Sequence, residues 1–166
     1  MDKLWAPWRV KYITDLSKKQ KGCIFCKISR DKKDGKNYVI YRSKHSFSVL
    51  NIYPYNNGHI LIVPYRHVGD FINLNKEEKE DLWGLLETTK RLLDKTLKPC
   101  GYNVGMNIGK MAGAGFPNHI HIHIVPRWNG DVNFMPVTGN TKVISQSLQA
   151  LLKKLKKCKQ EKKSKN

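Results

Sequence analysis

The sequence predicts an α+β fold: an antiparallel sheet of about five strands, one long central helix and a C-terminal amphipathic helix. Three observations predict it. Five short runs rich in β-branched and aromatic residues are each bounded by turn signals. One segment between the third and fourth carries an apolar stripe at helical spacing. No internal repeat divides the chain.

The elements follow in order. Trp5-Ala6-Pro7-Trp8-Arg9 sets two indoles and a proline ahead of any periodic segment, so this stretch is expected to lie extended. After a loop at 31–36, Tyr38–Arg42 and Phe47–Leu50 flank the polar turn Ser43-Lys44-His45 as a hairpin. Pro54-Tyr55-Asn56-Asn57-Gly58 is a loop signal ahead of a third strand, His59–Val63, stopped by Pro64. Asn75 followed three residues later by Glu78 marks a capped helix start. Leu82, Leu85, Leu86, Leu92, Leu93 and Leu97 continue that helix until Pro99 and Gly101. Tyr102–Ile108 and Ile120–Val125 supply two more strands, joined by a Gly-rich loop at 109–115. A last helix is expected over Lys142–Lys157, with Val143, Ile144, Leu148, Leu151, Leu152 and Leu155 on its apolar side.

At 166 residues, with 40% hydrophobic and 27% charged residues, the chain suits one globular domain and excludes wholesale disorder or collagen-like repetition. No apolar run approaches the roughly 20 residues of a membrane span. Met1–Pro7 is no signal peptide, so a soluble, cytoplasmic protein without a membrane partner is expected. The net charge of +18 points to an anionic partner, but Lys153–Asn166 holds +7 of it and the other 152 residues +11. The expected organisation is therefore a single domain over 1–152 and a Lys-rich mobile tail over 153–166. Nucleotides are the expected anions, nucleic acid not. Cys23-Ile24-Phe25-Cys26 reads as a metal or redox pair in an unexported chain.

The chemistry concentrates in His119-Ile120-His121-Ile122-His123-Ile124-Val125. Alternation along a strand puts the three imidazoles on one face, about 6.6 Å apart, and the isoleucines on the other. An ordinary buried face would hold Val or Leu rather than three rings that need hydrogen-bond partners. Two chemistries use such a row. One is metal chelation, with His119, His121 and His123 as ligands of a metallohydrolase. The other is covalent catalysis on phosphorus, one histidine acting as nucleophile. Gly109, Gly113 and Gly115 just upstream favour the second, because glycines let backbone N–H groups approach an anion closely.

These residues resemble the histidine triad (HIT) superfamily, whose signature alternates three histidines with apolar residues. Arg127-Trp128-Asn129-Gly130-Asp131 through Val137, the opening LWAPWR and Leu50–Asn56 are similar to its bacterial branch of diadenosine tetraphosphate phosphorylases. The resemblance covers about residues 3–137 and implies a HIT-like fold. It implies His121 as the nucleophile that forms a nucleotidyl-histidine, His123 as a phosphate contact and His59 as a fourth histidine of the site. It implies Asn51 on the ribose hydroxyls, and Asn107 and the Gly113-Ala114-Gly115 backbone on the phosphates. Phe116 departs from the pattern, standing where many members carry Ser or Gln. Trp128 and Asn133 are implied in specificity.

Some members of the superfamily, including galactose-1-phosphate uridylyltransferases, join a CxxC to a histidine and to the first triad histidine. Here that implies a structural zinc on Cys23, Cys26, His67 and His119, with His45 as the competing third ligand and no organic cofactor. The expected activity is nucleotidyl transfer or hydrolysis on dinucleoside polyphosphates by a homodimer, with inorganic phosphate as a possible co-substrate. A nucleoside phosphoramidase and a polyanion-binding module that works through the Lys-rich tail are the alternatives.

Overall fold

The computed structural model describes residues 22–131 and 144–163. The expectations for Trp5–Arg9, Asn133, Lys142 and Val143 lie outside the described residues. Helix α1 (Ile24–Arg30) is followed by β1 (Val39–Arg42), β2 (Ser46–Leu50), β3 (Ile60–Pro64), α2 (Lys76–Leu97), β4 (Gly101–Met106), β5 (Ile122–Arg127) and α3 (Leu148–Lys163). The strands pair antiparallel throughout, in the order β1-β2-β3-β5-β4. This is the expected α+β architecture. No helix among the described residues is long and apolar enough to cross a membrane.

Alternation splits the sheet into two faces. Leu50, Ile60, Ile62, Ile122 and Ile124 join the leucines of α2 and Leu151, Leu152 and Leu155 of α3 in the larger core. Phe47, Val49, Leu61 and Val63 meet Phe25 of α1 on the other face. His59, His121 and His123 open on that second face, where the layer is thin: α1 has only seven residues. The functional groups therefore sit opposite the helices that supply most of the burial.

Three polar devices hold this arrangement. Asn75 and Glu78 form the expected capping box at the start of α2, and Arg66 at the end of β3 clamps Glu78 at 2.8 and 2.6 Å. That guanidinium, with the Asn75 N–H, holds the Glu78 carboxyl down to about 2. Asp81 of α2 accepts from the hydroxyls of Ser43 and Ser46 in the β1–β2 turn. Arg42 of β1 donates to the carbonyls of Ile28, Ser29 and Asp31, which caps the C-terminal end of α1. Helix α2 stops where expected, because Lys98 precedes a proline and turns left-handed at φ 49°.

Several boundaries differ from the sequence reading. Strand β5 begins at Ile122 rather than Ile120, since pairing with both neighbours runs out there, at Ile62 and Met106. Strand β4 likewise ends at Met106 rather than Ile108. Helix α3 starts at Leu148, not Lys142, because Ser147 accepts from the N–H of Ala150 as an N-cap. It also runs to Lys163, so the boundary drawn at 152/153 falls inside a helix. Leu155 is fully buried, worth about 2 kcal/mol, and Lys159 Nζ donates to the Ile40 carbonyl at 2.8 Å. Leu155 and Cys158 of the Lys-rich segment thus pack on the core, while Lys153, Lys154 and Lys157 are exposed.

Candidate active site and metal centre

The β3–β5 pairing sets Leu61 opposite His123, which brings His59, at the head of β3, against the same ring. Gly58 makes the turn into β3 with φ +77°, and a Cβ there would stand 2.7 Å from Leu97 Cδ1, so the chain can enter at this angle only as glycine. His59 is 1% exposed and His121 5%, and His121 and His123 both line the cleft. The His59–His123 and His121–His123 ring centroids are 5.1 and 4.8 Å apart.

Hydrogen bonding fixes which nitrogen of each ring carries the proton. The backbone N–H of Tyr55 donates to His59 Nδ1 at 3.0 Å, with Asn51 Nδ2 at 3.3 Å from the same atom. His59 Nδ1 is therefore a lone pair, and Nε2–H donates to His123 Nδ1 at 2.9 Å. That in turn leaves the proton of neutral His123 on Nε2, which is buried without a partner. His121 is set the other way round. Its Nδ1–H donates to the His119 carbonyl at 2.9 Å, so its lone pair is on Nε2. The site thus presents one nucleophilic nitrogen and one unpartnered N–H donor on adjacent rings.

Burial favours the neutral form of His121 and His123. Desolvation, with the neighbouring His121, pushes His123 down to about 4. His121 is also lowered by burial, partly offset by its bond to the His119 carbonyl. A cavity of about 300 Å³ adjoins them, lined by apolar side chains including Phe25, Val49, Leu61 and Phe116, together with Asn51, Lys36 and Tyr38. Volume and lining suit a nucleoside-sized ligand with few polar anchors.

His119 belongs to a second cluster. Its Nε2–H donates to the Pro64 carbonyl at 2.9 Å, which turns the Nδ1 lone pair toward Cys23 Sγ at 3.2 Å, Cys26 Sγ at 3.6 Å and His67 Nδ1 at 3.2 Å. Cys26 Sγ lies 3.3 Å from His67 Nδ1, and all four ligand atoms fall within 4.8 Å of one another. Metal–ligand bonds of 2.0–2.3 Å place tetrahedral ligands about 3.3–3.8 Å apart, so the four groups fit a metal of zinc's size and softness. Cys23 and Cys26 reach it together because Cys23 is the N-cap of α1 and Cys26 follows one turn later. Without a cation, burial and the Cys23 thiol raise the Cys26 pKa; a bound cation would reverse this.

Of the residues singled out from the sequence, His121, His123 and Asn51 line the cleft, His59 backs His123, and Cys23, Cys26, His67 and His119 meet in the metal cluster. His119 has both ring nitrogens engaged away from the cleft, so it does not face a substrate there. His67, not His45, completes the cluster. Asn107 donates to the Gly113 carbonyl at 3.4 Å, and the N–H groups of Gly113 and Ala114 close their own turn onto Lys110 and Gly109. Trp128 lies at the end of β5 with its N–H on Asp131, off the cavity wall. Sequence reasoning missed Phe25, whose ring meets His119, His121 and Phe116 at 5.0–5.4 Å, and Tyr55, stacked on His123 at 5.7 Å. Phe25 was legible only as an aromatic inside the CxxC.

The HIT domain family matches residues 32–130. The chain belongs to this family. An AP-4-A phosphorylase of Mycobacterium tuberculosis is 36% identical over 156 residues, covering 90% of this chain and 80% of that protein. An asymmetrical bis(5′-nucleosyl)-tetraphosphatase of Schizosaccharomyces pombe is 33% identical over 93 residues, covering 56% and 50%. Among solved structures, a Zn-bound histidine triad protein of Mycobacterium smegmatis superposes with a TM-score of 0.68 at 25% identity, covering 87% of this chain and 98% of that one.

The proton positions are directly observable. Long-range 15N–1H spectra should show His121 in its Nδ1–H form and His59 and His123 in their Nε2–H forms at neutral pH; the opposite tautomer at His121 would contradict the hydrogen-bond assignment. His123 should stay neutral until the pH approaches 4. Between about pH 6.5 and 4 the unfolded chain then binds a proton that the folded chain refuses, so this residue makes stability fall as pH drops across that window.

Proposed function

We propose that this HIT protein cleaves dinucleoside polyphosphates of the diadenosine tetraphosphate type by nucleotidyl transfer through His121, with inorganic phosphate as the preferred acceptor. The observation that carries the reading is the opposed tautomers of His121 and His123 on adjacent rings, 4.8 Å apart at the end of an apolar, nucleoside-sized cavity. His121 Nε2 attacks the α-phosphorus, the bond from phosphorus to the polyphosphate oxygen breaks, and His123 Nε2–H gives its proton to the departing oxygen. A nucleotidyl-imidazole remains. Phosphate then displaces the imidazole to release a nucleoside diphosphate, and water in its place would release the monophosphate. Asn51, which lines the cavity, is assigned to the ribose hydroxyls on the family resemblance. The two named relatives, a phosphorylase and a tetraphosphatase, support the substrate class and differ in acceptor.

Diadenosine tetraphosphate should give ADP and ATP only when phosphate is supplied, and His121→Ala should lower the rate on the order of a thousandfold or more. AMP and ATP without phosphate would make the protein a hydrolase. No turnover in either condition would set the dinucleotide aside in favour of nucleoside phosphoramidates.

The cluster of Cys23, Cys26, His67 and His119 is assigned to one structural zinc, which when bound supplies folding energy and charge neutralisation of the thiolates, not a catalytic step. The donor set and the metal-ready Nδ1 of His119 support it. Elemental analysis should find one zinc per chain, and Cys26→Ser should lose the metal and lower the melting temperature by several degrees. A metal-free protein with unchanged melting would exclude the assignment.

Two chains are expected to pair. Among the described residues strand β4 is one of the two sheet edges, and Val104, Met106 and the following Ile108 are exposed there at 49, 37 and 41%. An uncovered apolar edge offers unused ladder hydrogen bonds and invites a second strand. Sedimentation should give twice the 19.2 kDa of one chain; a monomer at micromolar concentration would rule the pairing out.

A further inference from the structure

We propose that the lysine face of α3 is a groove for a short single-stranded oligonucleotide whose 5′-terminal nucleotide occupies the catalytic cleft. The inference rests on the nucleotide reading of that cleft. Lys36 and Tyr38 line the cleft and also one wall of a second, open groove of about 730 Å³, whose other wall is α3 with Lys153, Lys156, Lys157 and Gln160. The two therefore adjoin along Lys36 and Tyr38. The junction lies beside β1, and the catalytic imidazoles beside β5, three strands away, or about 14 Å at 4.8 Å per strand.

Chain chemistry selects the occupant. A nucleotide held by its 5′-phosphate at His121 can leave the far end of the cleft only by its base edge or its 3′-oxygen, and only the 3′-oxygen carries further phosphates. The groove receives them with a row of ammonium groups at i, i+3 and i+4 on one helix face. Tyr38 stands at the junction as an aromatic surface, with its hydroxyl accepting from Gln149 at 2.7 Å. Cations that follow a backbone beside an aromatic platform are the footprint of single-strand binding.

The comparison with α2 separates this face from ordinary solvated charge. On α2 five cations stand among six acids: Lys76, Lys90 and Arg91 each meet an acid four residues away, while Lys79 and Lys95 are in no ion pair among the described residues. Helix α3 carries seven lysines and one acid, Glu161, and none of Lys153, Lys156 and Lys157 is in an ion pair among the described residues. Their charge is left for a ligand.

The test is fluorescence anisotropy of a 3′-labelled, 5′-phosphorylated hexaadenylate on the full chain at about 50 and 200 mM salt. The wild type should bind, and excess unlabelled AMP should weaken binding by filling the cleft. Replacing Lys153, Lys156 and Lys157 together by Gln, which keeps helix propensity, should weaken binding about tenfold and reduce the slope of log affinity against log salt by about 2. Replacing the exposed Lys44, Lys79 and Lys95 by Gln removes the same charge elsewhere and should change affinity less than twofold. The single Lys157→Gln should give about a twofold loss, so the proposal is still tested should the triple variant fold poorly. Equal losses from the two triple variants, or binding indifferent to AMP, would overturn the groove. Diadenosine tetraphosphate turnover is followed in parallel: turnover without hexaadenylate binding sinks the groove alone, and loss of both sinks the cleft reading with it.

Discussion

Three residue pairs between β3 and β5, Ile60 with Ile124, Leu61 with His123 and Ile62 with Ile122, are the constraint on which the site depends. A slip of one residue would carry His123 into the layer of α2 and α3 and turn Ile122 and Ile124 outward, because side chains alternate with a period of two. The cost is prohibitive on both sides of the sheet. An imidazole among Leu82–Leu93 would lose its hydrogen bonds, and each isoleucine would give up about 2 kcal/mol of burial. The apolar half of the alternation thus secures the register, and the register sets His59 Nε2 2.9 Å from His123 Nδ1.

That contact is one link in a chain of donors that begins at a backbone amide. The N–H of Tyr55 cannot change its role, so it dictates the lone pair of His59 Nδ1, then the proton on His59 Nε2, then the proton on His123 Nε2. The His119 carbonyl, equally fixed as an acceptor, dictates the opposite arrangement at His121. Burial prevents either ring from escaping this by picking up a second proton near neutral pH. A protein of net charge +18 therefore places uncharged groups where it would meet phosphorus and keeps its fixed cations outside. Long-range attraction then acts on approach, while a neutral imidazole keeps the lone pair that a nucleophile needs.

Much of this was legible in the sequence because the signals were local. The His–Ile alternation reads directly as a two-faced strand, Asn75 and Glu78 as a cap, and the leucine spacing of α2 as one buried stripe. What failed was non-local. Strand β5 begins where partners on both sides begin, which no property of Ile120 or His121 records. Helix α3 starts at a Ser147 cap that the apolar pattern overran, and it continues through lysines that composition alone assigned to a tail, because Leu155 and Cys158 pack on the core. Phe25 gave no signal of its own: its place under His121 depends on Arg42 capping α1 from a different part of the chain. His67 came from family resemblance, and its exposed position beyond β3 gives no reason by itself to prefer it to His45.

The metal cluster and the nucleophile meet at a single peptide. Helix α1 is too short to hold together alone, and its two anchors are the Arg42 cap at one end and the Cys–His cluster at the other. His119 is tied through both of its nitrogens, to the cluster and to the Pro64 carbonyl, so its main chain has little freedom to rotate. The carbonyl of that residue is the acceptor that orients His121. A metal bound by Cys23, Cys26, His67 and His119 would consequently stiffen the group that aims the attacking lone pair while contributing no charge to the cleft. This also explains why the first histidine of the row is fully buried and the second opens on a cavity: one secures the peptide, and the other uses it.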